Sequence, residues 1–335
     1  MPSSILTNAS ALRALQTLNS TNASLESVQK RISTGLRVGE AADNAAYWSI
    51  ATTMNSDKAA LSVVQDSLGL GASKVDTAYT AMNGAFERAK EIRLKLIAAV
   101  GTSDDNKAKI QTEIKTLQDQ IKSFAESATF SGTNWLAVNS TVASGNPSAG
   151  THADAQVVSS FSRLANGSVD LSTIDINVQN IKLFDAAATT NETKGIVEGL
   201  RLATGVDAGK RDDTAVATVA GTTTATSGYS IMTMTVVSFN DDQIKDMINV
   251  ADKTIADMAD ASTVLGAAKT QIDLQKSFTT SLMDSIERGV SQLVDADMNK
   301  ESTRLQALQV QQQLGIQALS IANGNAQSIL SLFKG

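Results

Sequence analysis

The chain has 335 residues, enough for two or three domains, and its composition excludes several classes of function. It has no Cys and a single His, His152, so disulfides, thiolate catalysis, Cys-ligated metals and two-His metal sites cannot be built from it. The net charge of −6 offers no basic surface for the phosphates of a nucleic acid. Aromatic residues make up only 4% of the chain, so aliphatic and small side chains must form its core along extended contacts.

Neither a cleaved secretory signal nor a membrane-spanning segment is expected from the sequence. The stretch Met1–Ser10 lacks the basic and continuous apolar regions of a cleaved secretory signal. No window holds enough consecutive apolar residues to span a bilayer. We therefore expect a chain that does not insert into a membrane, and export by a route without a cleaved signal remains open.

Heptad periodicity predicts a long helix beginning near Leu61. Apolar and small residues alternate by three and four positions, which is typical of a helix buried along one narrow face. The stretch Gly101–Asn106 interrupts the pattern and offers Ser103 or Asp104 as the N-cap of a second helix, so a helical hairpin is expected. The first heptad row contains Leu61, Val64, Leu68, Gly71, Val75, Ala78, Met82, Ala85, Ala89, Ile92, Leu96 and Ala99, and the second contains Ile110, Ile114, Leu117, Ile121 and Phe124.

The middle of the chain, residues 131–240, is rich in Gly, Thr, Ser, Asn and Ala. Alternating residues predict two half-buried strands, one through Ile174, Ile176 and Val178 and the other from Ile231 to Phe239. A short helix is expected at Gly195–Ala203. The middle is therefore interpreted as a small α+β or mostly-β insertion in a helical chain.

Heptad patterns return after Asp241 and at both ends of the chain, where they predict coiled-coil arms. The row after Asp241 contains Ile244, Ile248, Ala251, Ile255, Met258, Ser262 and Leu265, continuing through Ile272, Leu282, Ile286, Val290 and Leu293. The N-terminal row contains Leu18, Leu25 and Ile32, with Leu15, Asn22 and Val28 between them. The C-terminal row contains Leu305, Leu308, Gln312, Gly315, Leu319, Ala322, Ala326, Ile329 and Phe333.

The C-terminal arm has no Asp, Glu, Lys or Arg between Arg304 and Lys334. Solvated helices normally carry charges on their outer face, and the many Gln and Asn side chains make a lipid environment equally unfavourable. A second apolar row consists of Val310, Leu314, Ile321 and Leu332. A helix that is apolar on two sides needs partners on two sides, which other copies of the chain would supply. The alternative is a helix buried within one large domain.

Three segments resemble the signatures of bacterial flagellins. LESVQKRISTGLRVGEAADNAAYWSIA, Leu25–Ala51, is similar to the N-terminal signature of the family. DADMNKESTRLQALQVQQQLGIQALSIANGNAQSILSLF, Asp295–Phe333, is similar to its C-terminal signature, and FSGTNWL, Phe130–Leu136, resembles its motif at the exit from the helical stem. The sequence around Tyr47 and Trp48 resembles that of flagellins from rhizobial-type α-proteobacteria.

The resemblance implies a mainly α fold with paired terminal coiled-coil arms, a helical stem and an inserted small α+β or β outer domain. It implies a structural, non-enzymatic subunit, with no cofactor or metal, that polymerises with copies of itself into the hollow extracellular filament of the flagellum. The assembly contacts would use Leu18, Leu25, Ile32, Leu305, Leu308, Leu319, Ile329 and Phe333. The expected parts are the N-terminal arm 1–45, the stem segments 46–130 and 241–293, the outward-facing domain 131–240 and the C-terminal arm 294–335.

The family resemblance also implies partners. Flagellins leave the cell through the flagellar type III export apparatus and meet an export chaperone, the filament cap and hook-associated proteins. The absence of Cys suits export in an unfolded state. Neither nucleic acid nor membrane is expected as a partner.

Two segments resemble surfaces of flagellins that immune receptors recognise. Both differ from the sequences that stimulate those receptors. The segment Lys30–Ala51 corresponds to the plant-detected epitope, and the resemblance singles out Arg37, Asp43 and Asn44 there. Compared with the stimulating form of the family, Ala42 replaces a Lys, Asn44 an Asp and Tyr47 a Gly. The animal receptor reads the stem around Arg88 and Ile92, and the facing Glu of the family is Gln120 here. We therefore expect poor recognition.

Other interpretations of the sequence are possible. A hook–filament junction protein shares the N-terminal signature, although the Gln-rich C-terminus favours a flagellin. A metallopeptidase in the middle domain would need more than His152. A chemoreceptor-like signalling rod would need a membrane span.

The glycines of Gly69–Ser73 and Gly266–Thr270 are interpreted as parts of helices, and His152 as a solvated loop residue.

Overall fold

Five α-helices form most of the chain that the structure describes. This computed structural model covers residues 8–142, 145–164 and 168–333, with side chains as far as residue 324. The helices are α1 (Ala9–Thr34), α2 (Ala45–Ala99), α3 (Asp104–Ser127), α4 (Asp241–Val294) and α5 (Met298–Phe333). Gly69–Ser73 and Gly266–Thr270 lie inside α2 and α4, as expected.

Short strands occupy the region between α3 and α4. They are β1 (Thr129–Phe130), β2 (Thr133–Asn134), β3 (Ala137–Val138), β4 (Ala155–Arg163), β5 (Val169–Ile176), β6 (Phe184–Asp185), β7 (Arg201–Leu202), β8 (Val216–Ala217) and β9 (Ser227–Tyr229). β1–β2 and β4–β5 pair antiparallel, β3 and β6 pair parallel, and β9 lies between antiparallel β7 and parallel β8. The predicted mainly α fold with a small strand-containing insertion is confirmed.

The chain divides into two compact units. The first contains the residues up to Ala60 and those from Leu282 onward, and the second contains Leu61–Ser281. The boundaries fall inside α2 and α4. The five parts expected from the sequence refer to positions in a polymer and stay a prediction.

The second unit is built on α2, α3 and the part of α4 up to Ser281. All twelve predicted heptad residues of α2, from Leu61 to Ala99, are buried. α3 buries Ile114, Leu117 and Ile121, but its row continues through Ala125. Phe124, predicted for that row, is exposed and packs beside Gly84.

The heptad row of α4 differs from the prediction at every second position. Buried Met247, Thr254 and Ala261 alternate with Ile244, Ala251, Met258 and Leu265, whereas the predicted Ile248, Ile255 and Ser262 are only half-buried. A buried Thr satisfies its hydroxyl within the helix, since Thr254 Oγ1 donates to Val250 O at 2.9 Å. The predicted and the observed rows both alternate by three and four residues, so the spacing alone does not decide which of them faces the core.

The predicted strand from Ile231 to Phe239 was wrong. The segment forms turns whose backbone groups pair with side chains of α3. Gln118 Nε2 donates to Ile231 O at 2.9 Å and Met234 O at 3.1 Å, and Val236 N donates to Gln111 Oε1 at 2.8 Å. Because α3 satisfies these groups, the segment needs no neighbouring strand.

Two smaller predictions in the middle were also wrong. Gly195–Ala203 forms turns and β7, because Ile196 N donates to Lys182 O and a side chain at Gly195 would overlap the backbone of Leu183. The strand through Ile174 and Ile176 ends before Val178. There the side chain of Asn177 accepts from Asn180 N and starts a 3₁₀ turn at Val178–Asn180.

A fully buried ion pair joins the segment around β6 to the neighbouring loops. Lys182 Nζ lies 2.6 Å from Asp185 Oδ2 and also donates to Gly150 O at 2.7 Å. Asp185 Oδ1 accepts from Ser140 N and Ala187 N at 3.0 and 3.1 Å. Burial alone would raise the pKa of Asp185, but these hydrogen bonds outweigh it and hold the pKa below its ordinary value.

Candidate assembly surface

α1 and α5 pair antiparallel in the first unit through two matching heptad rows. Asn8 starts α1 as its N-cap and its amide Nδ2 donates to Ala322 O at 2.8 Å, while Gln312 Nε2 donates to Asn22 Oδ1 at 2.8 Å. A Cβ at Gly315 would lie 3.1 Å from Leu18 Cδ1, so the glycine permits a close approach of the two helices.

The predicted assembly residues fall on this contact where the structure describes them. Leu18, Leu25 and Ile32 of α1 and Leu305, Leu308 and Leu319 of α5 are all half-buried. The side chains of Ile329 and Phe333 lie outside the described residues. Both rows alternate by three and four, which places one narrow face of each helix against the other.

The N-terminal row differs from the prediction at its intermediate positions. Thr21 is 5% exposed and Ala14 half-buried, whereas Leu15 is 44% exposed and Asn22 is also exposed. Thr21 Oγ1 donates to Thr17 O at 2.9 Å, which lets the polar side chain lie in the contact. Sequence reasoning missed Thr21 because Leu18, Asn22 and Leu25 also alternate by four and three residues, so the spacing alone did not distinguish Thr21 from Asn22.

A buried carboxylate lies where α5 begins. Glu301 is 7% exposed, and its Oε1 lies 3.6 Å from Arg31 Nη1 near the end of α1. Its Oε2 has no hydrogen-bond partner among the described groups. Sequence reasoning did not find Glu301, since nothing local distinguishes it from an exposed helix residue.

The connection between α1 and α2 is fixed to the end of α4. Gly35 adopts the left-handed conformation, with φ of 73°, as the C-cap of α1. Arg37, a predicted immune-contact residue, donates from Nη2 to Leu293 O at 2.9 Å, where a cation suits the helix C-terminus. A small core forms from Val38, Ala51, Val290 and Val294.

Asp43 and Asn44, also singled out for immune contact, have local structural roles. Asp43 Oδ2 accepts from Gly39 N and Glu40 N, and these hydrogen bonds lower the pKa of Asp43. Asn44 Oδ1 accepts from Ala46 N and Tyr47 N, both at 3.1 Å, and thereby caps α2. Since Asp and Asn cap helices equally well, the replacement of the family's Asp by Asn44 changes the charge of this segment more than its structure.

The stem residues singled out for immune contact lie in the second unit. Arg88 is partly exposed and pairs with Glu91 at 2.9 Å, and Gln120 is half-buried. Ile92 is fully buried in the core. Its side chain therefore supports this surface from beneath.

The α1–α5 pair exposes apolar side chains that the two helices cannot cover themselves. α1 exposes Leu12 and Leu15, and α5 exposes Val310, Leu314, Ile316 and Ile321. α5 has no ionisable side chain after Arg304, so no charge on the helix keeps this face in water. An apolar face of this kind is typical of an interface with another protein.

Two family models match the chain at its helical ends. The bacterial flagellin N-terminal helical region matches residues 5–141, and the bacterial flagellin C-terminal helical region matches residues 248–333. A flagellin of Brucella melitensis is 48% identical over 337 aligned positions that cover 99% of both chains. The chain belongs to the bacterial flagellin family.

Further flagellins are similar over the whole chain. Flagellin C of Rhizobium meliloti is 46% identical, covering 99% of both chains. Flagellin A of Rhizobium meliloti is 42% identical over 402 aligned positions, covering 99% of this chain and all of the relative. The expected resemblance to rhizobial-type flagellins is confirmed, the protein is a structural subunit of the flagellar filament, and nothing in these relatives favours a hook–filament junction protein.

Two further findings concern the described part of the chain. None of its helices has a stretch long and apolar enough to cross a membrane. Within the same residues, His, Asp and Glu side chains form no group of three that could hold a metal ion.

Proposed function

We propose that this flagellin polymerises through the α1–α5 pair, with the exposed apolar row of α5 contacting neighbouring copies. The observation that carries the proposal is the combination of exposed Leu314, Val310 and Ile321 with a helix free of charge after Arg304. In a helical polymer, a carboxylate or an ammonium in such a contact would be buried in every subunit. A helix without charges is therefore suited to this contact. The half-buried rows of α1 and α5 hold the pair together within each subunit.

Family membership supports the finer aspects of the proposed role. The subunit acts outside the cell and without enzymatic activity, as a building block of the filament. Its partners are other copies of itself, the flagellar type III export apparatus, an export chaperone, the filament cap and hook-associated proteins. The outward-facing part is residues 131–240, and the arms 1–45 and 294–335 form the inner core.

Seeded polymerisation tests the proposal. Purified monomer is mixed with short fragments of filaments made from the same protein, and filament growth is followed by sedimentation and electron microscopy. We expect long filaments to grow from the seeds. Hydrogen exchange of α1 and α5 should slow strongly on polymerisation, because their exposed face becomes covered. Filaments in which exchange of α1 and α5 is unchanged would contradict the proposed contact surface.

We also propose that the segment Lys30–Ala51 is a weak ligand for plant flagellin receptors. Asn44 lacks the negative charge of the residue it replaces, and Tyr47 adds an exposed ring where the family has a Gly. A synthetic Lys30–Ala51 peptide should need a concentration about tenfold or more higher than a consensus flagellin peptide for the same response, since one lost charge contact has that effect. Restoring Asp at position 44 should recover part of the activity. Equal potency of the unmodified and consensus peptides would refute the proposal.

A further inference from the structure

The second unit contains a cavity of about 280 Å³ that assembly does not explain. α2 contributes Leu70 and Lys74 to its lining, and the region of β2 and β4 contributes Trp135, His152 and Gln156. None of the described residues that line it is acidic, although the chain as a whole has a net charge of −6. The cavity therefore favours a ligand that carries negative charge.

Lys74 is the cation of this cavity. Several other lysines of the stem are paired with carboxylates, such as Lys90 with Glu87 and Lys95 with Glu113. Lys74 is half-buried and has no ion pair within the described part of the chain. A carboxylate that binds an unpaired ammonium beside a cavity forms a charge-assisted hydrogen bond, the stronger class of hydrogen bond.

The rest of the lining combines neutral polar groups with an apolar wall. His152 Nδ1 donates to Ala153 O at 2.7 Å, which fixes the imidazole and leaves Nε2 without a partner among the described residues. Thr133 adds a hydroxyl group to the lining. Trp135, 6% exposed, and half-exposed Leu70 form the apolar part. Binding sites of small molecules typically have such a mixture of apolar wall and few polar groups.

We propose that this cavity binds a small hydroxylated carboxylate of the sugar-acid class. Lys74 holds the carboxylate, His152 Nε2 accepts from a hydroxyl, and Trp135 contacts the apolar face of the sugar ring. A neutral sugar lacks the group that Lys74 binds, and an inorganic anion lacks the body that fills the cavity. The proposal goes beyond filament assembly and can be tested on the full-length monomer.

The chain contains one His and two Trp, which makes the binding measurable at single residues. In a Trp48→Phe background, Trp135 is the only tryptophan, so its fluorescence reports the cavity. The monomer is titrated with D-glucuronate, with glucose and with inorganic phosphate, and the His152 ring is followed in parallel by proton NMR. We expect saturable changes at both residues with glucuronate and none at equal concentrations of glucose or phosphate.

Variants of Lys74 test its role. Lys74→Met should weaken glucuronate binding about tenfold or more, as expected for a lost charge-assisted hydrogen bond. Lys74→Arg should retain most of the binding, and Lys90→Met on the same helix should bind as the parent does. Thermal unfolding of each variant checks that the stem is intact. No saturable change, an equal response to phosphate, or equal losses in Lys74→Met and Lys90→Met would each overturn the proposal.

Discussion

Leu96 in α2 and Leu308 in α5 occupy equivalent heptad positions, yet Leu96 is fully buried and Leu308 is partly exposed. The difference extends along both regions. In the second unit, the heptad row of α2 packs against α3, α4 and the strand-containing region in one continuous core. In the first unit, the row of α1 packs against that of α5. The same sequence periodicity therefore produces a closed core in one region and an incomplete one in the other.

The comparison shows that heptad periodicity defines a contact face but not the number of partners. A helix pair buries one narrow face of each helix, and isolated pairs gain little stability from that burial. The stem supplies its own additional partners within the chain. The terminal pair has exposed apolar residues instead, and this is the structural reason to expect assembly at the terminal pair and independent folding of the stem.

The largest expected effect is on polymerisation. Leu314→Glu places a carboxylate on the exposed apolar face of α5, where it is hydrated in the monomer but desolvated in the proposed contact. We expect no filaments in seeded polymerisation, with an unchanged circular dichroism spectrum of the monomer. Leu171→Glu in β5 is the matched control, because Leu171 and Leu314 are 55% and 59% exposed. Normal filaments from Leu314→Glu would show that this face does not form the polymer contact.

The buried ion pair of the second unit should show the next largest effect. Asp185→Ala leaves the ammonium of Lys182 buried without its carboxylate, which should lower the free energy of unfolding of this unit by about 3–5 kcal/mol. The double variant Lys182→Met/Asp185→Leu should recover most of the loss, because no buried charge then remains. Chemical denaturation of the three proteins measures this. A double variant as unstable as Asp185→Ala would mean that the hydrogen bonds to Ser140 and Ala187, and not the ion pair, stabilise the region.

A matched pair of Leu→Ala variants measures the difference between the two regions directly. Leu96→Ala should cost the second unit about 2–5 kcal/mol, since it leaves a cavity in a closed core. Leu308→Ala should cost the monomer about 1 kcal/mol or less, because its side chain is already partly in water. Since two units need not unfold together, hydrogen exchange resolved by segment is the appropriate measurement. Similar losses at both positions would remove the basis of the comparison.

The smallest expected effect is a local response of the first unit to acid. The pKa of Asp43 is lowered in the folded state, so its stabilising contribution is complete above the ordinary Asp pKa of about 3.9 and is lost as the pH falls through the lower folded value. The amide signals of Gly39 and Glu40 should titrate with that lowered midpoint in NMR spectra. In Asp43→Asn they should not titrate. A midpoint at or above the ordinary value would contradict the hydrogen bonds to Asp43.

Sequence reasoning succeeded where a pattern depends on helix geometry alone. The row of α2 follows the three-four alternation from Leu61 to Ala99, and its burial could be predicted without knowledge of its partners. It failed where polar side chains replace backbone pairing. Gln111 and Gln118 satisfy the backbone of the segment 231–239, and nothing in that segment shows that α3 will approach it. Thr21 was missed for a related reason, since its hydroxyl is satisfied within its own helix.

The attachment of the segment 231–239 to α3 has a consequence for protein engineering. Its backbone bonds to Gln111 and Gln118, together with the bond from Lys107 Nζ to Phe239 O at 2.9 Å, fix the chain before it enters α4. Added length at an exposed turn of the middle region leaves these bonds in place, and closing a longer loop costs little extra entropy. Val206 is fully exposed beside Gly205, which has a φ of 97°. If residues 131–240 face outward in the filament, as proposed above, this turn is a suitable site for grafting a foreign peptide that every subunit would then display.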